Sequence, residues 1–253
     1  MRAKSTFTIK PLSVGRLSMD KSQFLFGTGF GEKIDIAVIV WYLENSKNRI
    51  LIDTGCPEPT WCMKYHYPAK RSFDEDPVQA LAKVGANPND IDIVILTHLH
   101  WDHCSNNSLF KNATFFVQRE ELRYAIAPLA IHALGYESIA IGMTPPYMNT
   151  KFEILNGDTQ IVDGVSVIFA PGHTPGMQGV LVNTIHGNYF IAGDNVPLYQ
   201  NWKGDRLGRR IPISNFVNLE DYYRTLSRIE SMVREDFVLP GHDPRVLEKE
   251  SYC

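Results

Sequence analysis

One short stretch of the chain concentrates groups that bind metal ions. Residues 97–103 read Thr-His-Leu-His-Trp-Asp-His, which places three of the eight histidines and a carboxylate close together. In an extended segment His98 and His100 point the same way, whereas Asp102 and His103 need a turn to aim at a second point. Four donors from one short loop suit two adjacent divalent ions better than one tetrahedral centre. The alternative is an exposed polar loop.

The histidine stretch follows a run of β-branched and aliphatic residues, 91–96, that predicts a buried strand. Three other apolar runs also end in turns with a potential ligand: His173 after 165–170, Asp194 after 188–192 and His242 after 237–239. Strand ends that gather at one edge of a sheet are where sites form in layered α/β proteins. The sequence therefore predicts a metal site at the place where four strands end.

The remaining histidines and the cysteines fall outside this pattern. We expect His66, His132 and His186 to be structural or exposed, although the first two lie in loops that are candidates for lining a pocket. Cys104 adjoins His103, and we interpret it as a small buried residue behind the site rather than a ligand. The four cysteines form no C-x-x-C pair, which favours free thiols in a reducing compartment.

The elements that must position the ligands follow from periodicity and turn residues. Residues 7–12 and the pair 34–43 and 49–52 are predicted strands, the pair forming a hairpin. Further predicted strands are 113–117 and 179–183, and predicted helices are 77–84, 119–127 and 219–234. Residues 15–31 and 56–76 are predicted loops. The segment 128–147 is apolar but broken by glycine and proline, which fits either core or a lid over an apolar ligand.

Composition limits the classes of function. A chain of 253 residues with 44% hydrophobic content can bury a full core, and we expect one domain over residues 1–253. A net charge of −3 argues against nucleic acid or an anionic membrane as a partner. No apolar run is long enough to span a bilayer, and residues 1–5 lack an apolar signal region, so we expect a cytoplasmic location.

Together these residues resemble a known family. Residues 98–103, with Asp53-Thr54-Gly55 upstream and His173, Asp194 and His242 downstream, resemble the metallo-β-lactamase superfamily of hydrolases over nearly the whole chain. The resemblance implies an α/β fold, a four-layer αββα sandwich with two sheets face to face, helices outside and the site on one edge. It also implies that His98, His100 and His173 hold a first zinc and that Asp102, His103 and His242 hold a second. Asp194 would bridge the two ions, and Asp53 would be a structural aspartate beneath them.

Departures within the superfamily narrow the resemblance to the N-acyl homoserine lactone hydrolases. Asp194 replaces the cysteine of several true β-lactamases, and His100 is not the glutamate of the oxygen-reducing flavodiiron members. No extended C-terminal helical domain follows, as glyoxalase II enzymes have. The lactonases carry a tyrosine three residues beyond the bridging aspartate, where this chain has Pro197. Tyr199 is the first tyrosine after it and the candidate catalytic residue in its place. Either Tyr199 reaches the site by a different loop path, or ring opening in this protein does without a phenol.

The expected chemistry is the opening of a lactone ring. Two zinc ions that share a water lower its pKa to about 7, so that a bridging hydroxide can attack the carbonyl. Asp102 is predicted to orient that water and carry a proton to the leaving oxygen. Manganese, iron or cobalt are alternative metals. The expected partner is a small substrate with an apolar portion, and the sequence leaves a homo-oligomer open.

Two other functions stay open at this point. The same site could hydrolyse a cyclic amide, a thioester or an aryl ester. The chain could also be a metal-binding scaffold without activity, although such a protein has no physical need of a complete, open dinuclear site.

Overall fold

A seven-stranded mixed sheet forms one half of the computed structural model, which describes residues 5–253. Its strands are β1 (Thr8–Asp20), β2 (Lys33–Glu44), β3 (Arg49–Ile52), β4 (Ala69–Lys70), β5 (Ile93–Ile95), β6 (Thr114–Gln118) and β7 (Phe152–Leu155). They lie in the order β4-β1-β2-β3-β5-β6-β7, with antiparallel pairing from β4 to β3 and parallel pairing from β3 to β7. Residues 1–4, on which part of the signal-region prediction rests, lie outside the described residues.

A second, five-stranded sheet follows in the chain. Its strands are β8 (Thr159–Val162), β9 (Val165–Phe169), β10 (Gln178–Thr184), β11 (Gly187–Ile191) and β12 (Val238–Leu239). The order is β12-β11-β10-β9-β8, and only the β11–β12 pair is parallel. The side chain of Gln178 donates to the Leu96 carbonyl at 2.7 Å, and its backbone N–H donates to the Thr97 carbonyl. These bonds join the start of β10 to the end of β5.

Seven α-helices complete the part of the chain that the structure describes. They are α1 (Lys21–Phe24), α2 (Pro59–Tyr65), α3 (Pro77–Ala82), α4 (Trp101–Cys104), α5 (Arg119–Ile126), α6 (Tyr199–Lys203) and α7 (Leu219–Met232). In α7 the buried residues Tyr222, Leu226 and Ile229 recur every three to four positions, so one stripe faces the core. The Asn218 side chain caps this helix by accepting from the Asp221 N–H.

The core lies on the inner faces of the sheets. Residues 36–43 of β2 are all buried, so this central strand is covered on both faces. The hydrophobic cluster extends without a break from β2 to β10 and the inner stripe of α7. Two sheets with helices on their outer faces give the layered α/β arrangement that the sequence predicts.

Most predicted elements are confirmed, but both predicted loops are partly wrong. The strand predicted over 7–12 continues to Asp20, because a register shift between Ser13 and Gly15 lets it pair with β2 along its whole length. The second loop, 56–76, contains α2 and the short strand β4. Neither β7 nor β8 is predicted from the sequence.

Candidate metal centre

The seven predicted metal ligands meet at one edge of the two sheets. His98 and His100 follow β5, Asp102 and His103 lie on α4, and His173, Asp194 and His242 follow β9, β11 and β12. Three groups of donor atoms each lie within 4.8 Å of one another: His98, His100 and His173; His98, His103 and Asp194; and Asp102, His103 and His242. Strands from both sheets therefore end at one site.

The first group consists of three buried imidazoles. His100 Nδ1 lies 3.0 Å from His98 Nε2 and 3.1 Å from His173 Nε2. Donors bound about 2.1 Å from a tetrahedral zinc ion lie at roughly such a separation from one another. The rings meet nearly edge to face, with interplanar angles of 80° to 88°. This geometry directs three nitrogens at one point.

The second group adds a carboxylate. His103 Nε2 and His242 Nε2 are 3.3 Å apart, and each lies 3.8 Å from Asp102 Oδ2. The Asp102 side chain is 15% exposed, whereas both histidine side chains are at most 3% exposed. Asp102 is therefore the most accessible member of this group.

Asp194 stands between the two groups. Its Oδ1 lies 3.0 Å from His242 Nε2 and 3.3 Å from His103 Nε2, while its Oδ2 lies 3.5 Å from His173 Nε2. The buried Oδ1 nevertheless makes no hydrogen bond of acceptable geometry. One carboxylate oxygen faces imidazoles of the second group and the other faces the first group, which fits a ligand shared between two cations.

Outer contacts orient the imidazoles. His103 Nδ1 lies 2.8 Å from the buried Asp53 Oδ2, and His242 Nδ1 lies 2.8 Å from the Ala37 carbonyl. His173 Nδ1 contacts the Asn215 carbonyl in the same way. When Nδ1–H donates outward, Nε2 is left unprotonated and faces the cluster, as metal binding requires. Asp53 therefore lies beneath the ligands.

The electrostatics also suit cation binding. Burial lowers the pKa of His98 and His100 well below the ordinary value, so both imidazoles stay neutral. Burial opposes ionisation of Asp194, but His242 and His103 nevertheless hold the pKa of its carboxyl well below the usual range. Burial favours the neutral forms of His103 and His242 as well, but the Asp194 carboxylate raises the pKa of both, so a bound cation would displace their protons. Neutral His98 and His100 and an ionised Asp194 are already in the protonation states of metal ligands.

A cavity of about 390 Å³ opens onto the ligands. Its wall includes His100, Asp102, His173, Asp194 and His242, together with apolar side chains from three regions: Met19 and Phe24, Ile131 and Leu134, and Ile213. The segment 128–147, called the lid below, therefore contributes both to the cavity wall and to the core. It contributes exposed Ile131 and Leu134 to the cavity and buries Tyr136 and Tyr147 beneath.

The structure does not bring Tyr199 to this site. Its ring packs 4.8 Å from the guanidinium of Arg245, its N–H donates to Asp243, and it is absent from the cavity wall. The path of the chain explains this, because α6 begins at Tyr199 and turns the ring toward Tyr252. The structure therefore contradicts the predicted catalytic role of Tyr199, because its phenol does not face the metal ligands.

We expect Tyr199→Phe to leave turnover unchanged within about twofold, because its phenol lies outside the cavity. Steady-state kinetics on metal-loaded protein would check this expectation. A loss of tenfold or more at unchanged metal content would show that Tyr199 reaches the reacting groups after all.

Sequence reasoning missed a buried carboxylate that supports the ligand loop. Glu121 on α5 accepts from the Leu99 N–H at 2.9 Å, the Tyr136 hydroxyl at 3.0 Å and the Thr174 hydroxyl. It thereby joins the loops that carry His98, His100 and His173. Glu121 lies on a helix beside two other charged residues, so its local sequence is that of an ordinary surface residue. Cys104 is fully buried behind the site, as predicted.

Comparisons with known proteins agree with this geometry. The family model of the metallo-beta-lactamase superfamily matches residues 36–242. A curated N-acyl homoserine lactonase, AiiA from Bacillus thuringiensis subsp. kurstaki, is 28% identical, with 97% of each chain covered. The lactonase AttM of Azorhizobium caulinodans is also 28% identical, with 92% of each chain covered.

The solved structures show the same fold. An N-acyl homoserine lactone hydrolase with N-hexanoyl-L-homoserine bound at its catalytic metal centre superposes with a TM-score of 0.80, at 23% identity and with 96% of each chain covered. The predicted metallo-β-lactamase sandwich and the predicted resemblance to the lactonases are therefore confirmed. With the family model matching most of its length, this chain belongs to the metallo-beta-lactamase superfamily.

Proposed function

We propose that this protein is a dinuclear zinc hydrolase that opens the ring of a lactone, an N-acyl homoserine lactone or a closely related one. The observation that carries the proposal is the placement of Asp194 between two groups of metal ligands at the floor of a cavity. The names of the relatives support the lactone as substrate. Manganese, iron or cobalt would also accept these ligands.

Different residues would bind each metal ion and transfer the proton. His98, His100 and His173 would hold one ion, Asp102, His103 and His242 the other, and Asp194 would bind both. When bound, such a pair of ions supplies an activated water and polarises the ester carbonyl. Asp102 is the ligand side chain most open to the cavity, so it is placed to orient the attacking water and to pass its proton to the leaving ring oxygen.

The cavity favours a substrate with an apolar portion. Ile131 is 84% exposed and Leu134 is 45% exposed, so the lid offers unburied apolar surface beside the ligands. Phe24 and Met19 provide a second apolar wall across the cavity. Burial of about 100 Å² of acyl chain against such surface contributes about 2.5 kcal/mol to binding. An acyl chain or a similar substituent therefore fits the site.

The proposal also covers the domain organisation, location and partners of the protein. Within residues 5–253, no helix has the length and apolar character needed to cross a bilayer. We propose a single domain over residues 1–253, a cytoplasmic location and a small-molecule substrate, with no nucleic-acid or membrane partner.

A substrate screen on metal-analysed protein tests the proposal. A pH indicator reports the acid released from lactones, lactams, thioesters and aryl esters in one format. We expect near two metal equivalents per chain and the highest kcat/KM on a lactone with an acyl substituent. Fastest turnover of another class would reject the lactone, and one metal equivalent or fewer would reject the dinuclear site. No turnover of any class would favour the inactive scaffold.

A further inference from the structure

A histidine that is not a metal ligand forms part of the cavity wall. His66 follows α2, and its ring stacks on Trp101 with centroids 4.0 Å apart and planes 6° from parallel. Its side chain is only 2% exposed. Trp101 lies between His100 and Asp102 in the chain, so His66 is packed against the loop that carries the metal ligands.

A buried carboxylate orients this histidine. Glu137 Oε1 lies 2.8 Å from His66 Nε2 and also accepts from the Trp61 indole N–H at 2.6 Å. Glu137 is 4% exposed and has φ of 46°, a left-handed conformation that non-glycine residues seldom adopt. Glu137 Oε1 faces Nε2, so Nε2 carries the shared proton, and a ring that holds one proton leaves Nδ1 as an acceptor.

The other ring nitrogen is therefore an acceptor. No group within residues 5–253 makes a hydrogen bond to His66 Nδ1. His132, the other described histidine of the cavity wall that is not a candidate ligand, differs in this respect. Its Nδ1 is bonded to the Tyr124 hydroxyl at 2.5 Å. Because His66 lines the cavity, a ligand bound there can supply the partner that the protein does not give this acceptor. The complementary ligand group is an N–H or an O–H.

We propose that His66 Nδ1 accepts a hydrogen bond from a donor on the substrate, borne by the carbon beside the scissile carbonyl. His66 then determines specificity, and Glu137 is a positioning residue that sets its tautomer. The site selects lactones that carry an amide N–H at this carbon over lactones that carry a plain alkyl chain there. This inference rests on the proposed lactonase function and assigns one feature of the substrate to one side chain.

Paired substrates test the inference. An α-acylamino-γ-butyrolactone and an α-alkyl-γ-butyrolactone of equal chain length differ in the presence of the amide. We expect the metal-loaded wild type to prefer the first, and His66→Phe, which retains a ring against Trp101, to lower the ratio of the two kcat/KM values by about tenfold. The exposed hairpin histidine supplies the matched control, so His186→Phe should leave the ratio unchanged.

Two further measurements separate the outcomes. Metal content and circular dichroism of His66→Phe should equal those of the wild type, and the nitrogen shifts of His66 in the zinc-loaded wild type should show the Nε2–H tautomer. An unchanged substrate ratio, or an Nδ1–H tautomer, overturns the assignment to His66 while the proposed function stands. Absence of lactone hydrolysis in the wild type overturns the proposed function and this inference with it.

Discussion

Asp194→Ala is expected to lower lactone kcat/KM by about a thousandfold or more and to reduce the metal content from two equivalents per chain to one or none. Asp194 is the residue whose two oxygens face both groups of imidazoles, at 3.0 Å and 3.5 Å from His242 and His173. Its loss removes a shared ligand and leaves buried imidazoles facing one another. Metal-ion catalysis contributes several kcal/mol to the transition state, and about 4 kcal/mol corresponds to a thousandfold in rate.

The matched control is another aspartate outside the site. Asp74 is exposed and pairs with Lys83 at 3.6 Å, so Asp74→Ala should change neither turnover nor metal content. Kinetics and elemental analysis of the two variants side by side provide the measurement. An Asp194→Ala variant that keeps two metals and more than a tenth of the activity would show that Asp194 does not bridge the ions.

Removal of the metals should abolish turnover and destabilise the fold. Seven donor side chains from four strand ends face one another in the cluster, and bound cations would join them and give the unpartnered Asp194 Oδ1 a partner. Binding that favours the native state at a thousand times its Kd contributes about 4 kcal/mol per ion. We expect dialysis against a chelator to reduce activity to background and to lower the melting temperature by several degrees.

Reconstitution supplies the control. Zinc added back should restore both activity and melting temperature, and manganese or cobalt should restore activity at a different level, since the same ligands accept them. Magnesium, which prefers an all-oxygen octahedral shell, should restore little. Full activity in chelator-treated protein shown to be free of metal would refute hydrolysis by a metal centre.

The sequence predicts which candidate metal ligands the fold brings together better than it predicts the residues of the cavity wall. Each ligand lies directly after a short apolar run, so the run and the turn chemistry are both local signals. His173, Asp194 and His242 could therefore be named without knowledge of which sheet each strand joins. The structure places those strands in the second sheet, and the bonds from Gln178 to residues 96 and 97 bring its edge to the first.

The sequence did not predict the elements whose local patterns are short or interrupted. The short helix α2 has seven residues and begins after a proline-rich turn, so its periodicity is too brief to read. The glycine at position 15 looks like the start of a loop but sits at an irregularity inside a long strand. In both cases pairing or packing with distant residues overrides the local preference.

The sequence by itself determined the superfamily and predicted seven candidate metal ligands that the structure brings together, because each lies in a turn at the end of an apolar strand. Only the tertiary structure decided what surrounds them. Tyr199, two residues beyond Pro197, turns away because α6 begins there, and His66 meets Glu137 across 71 positions of the chain. No periodic pattern reports such a contact, because it exists only after the lid has packed against the ligand loop.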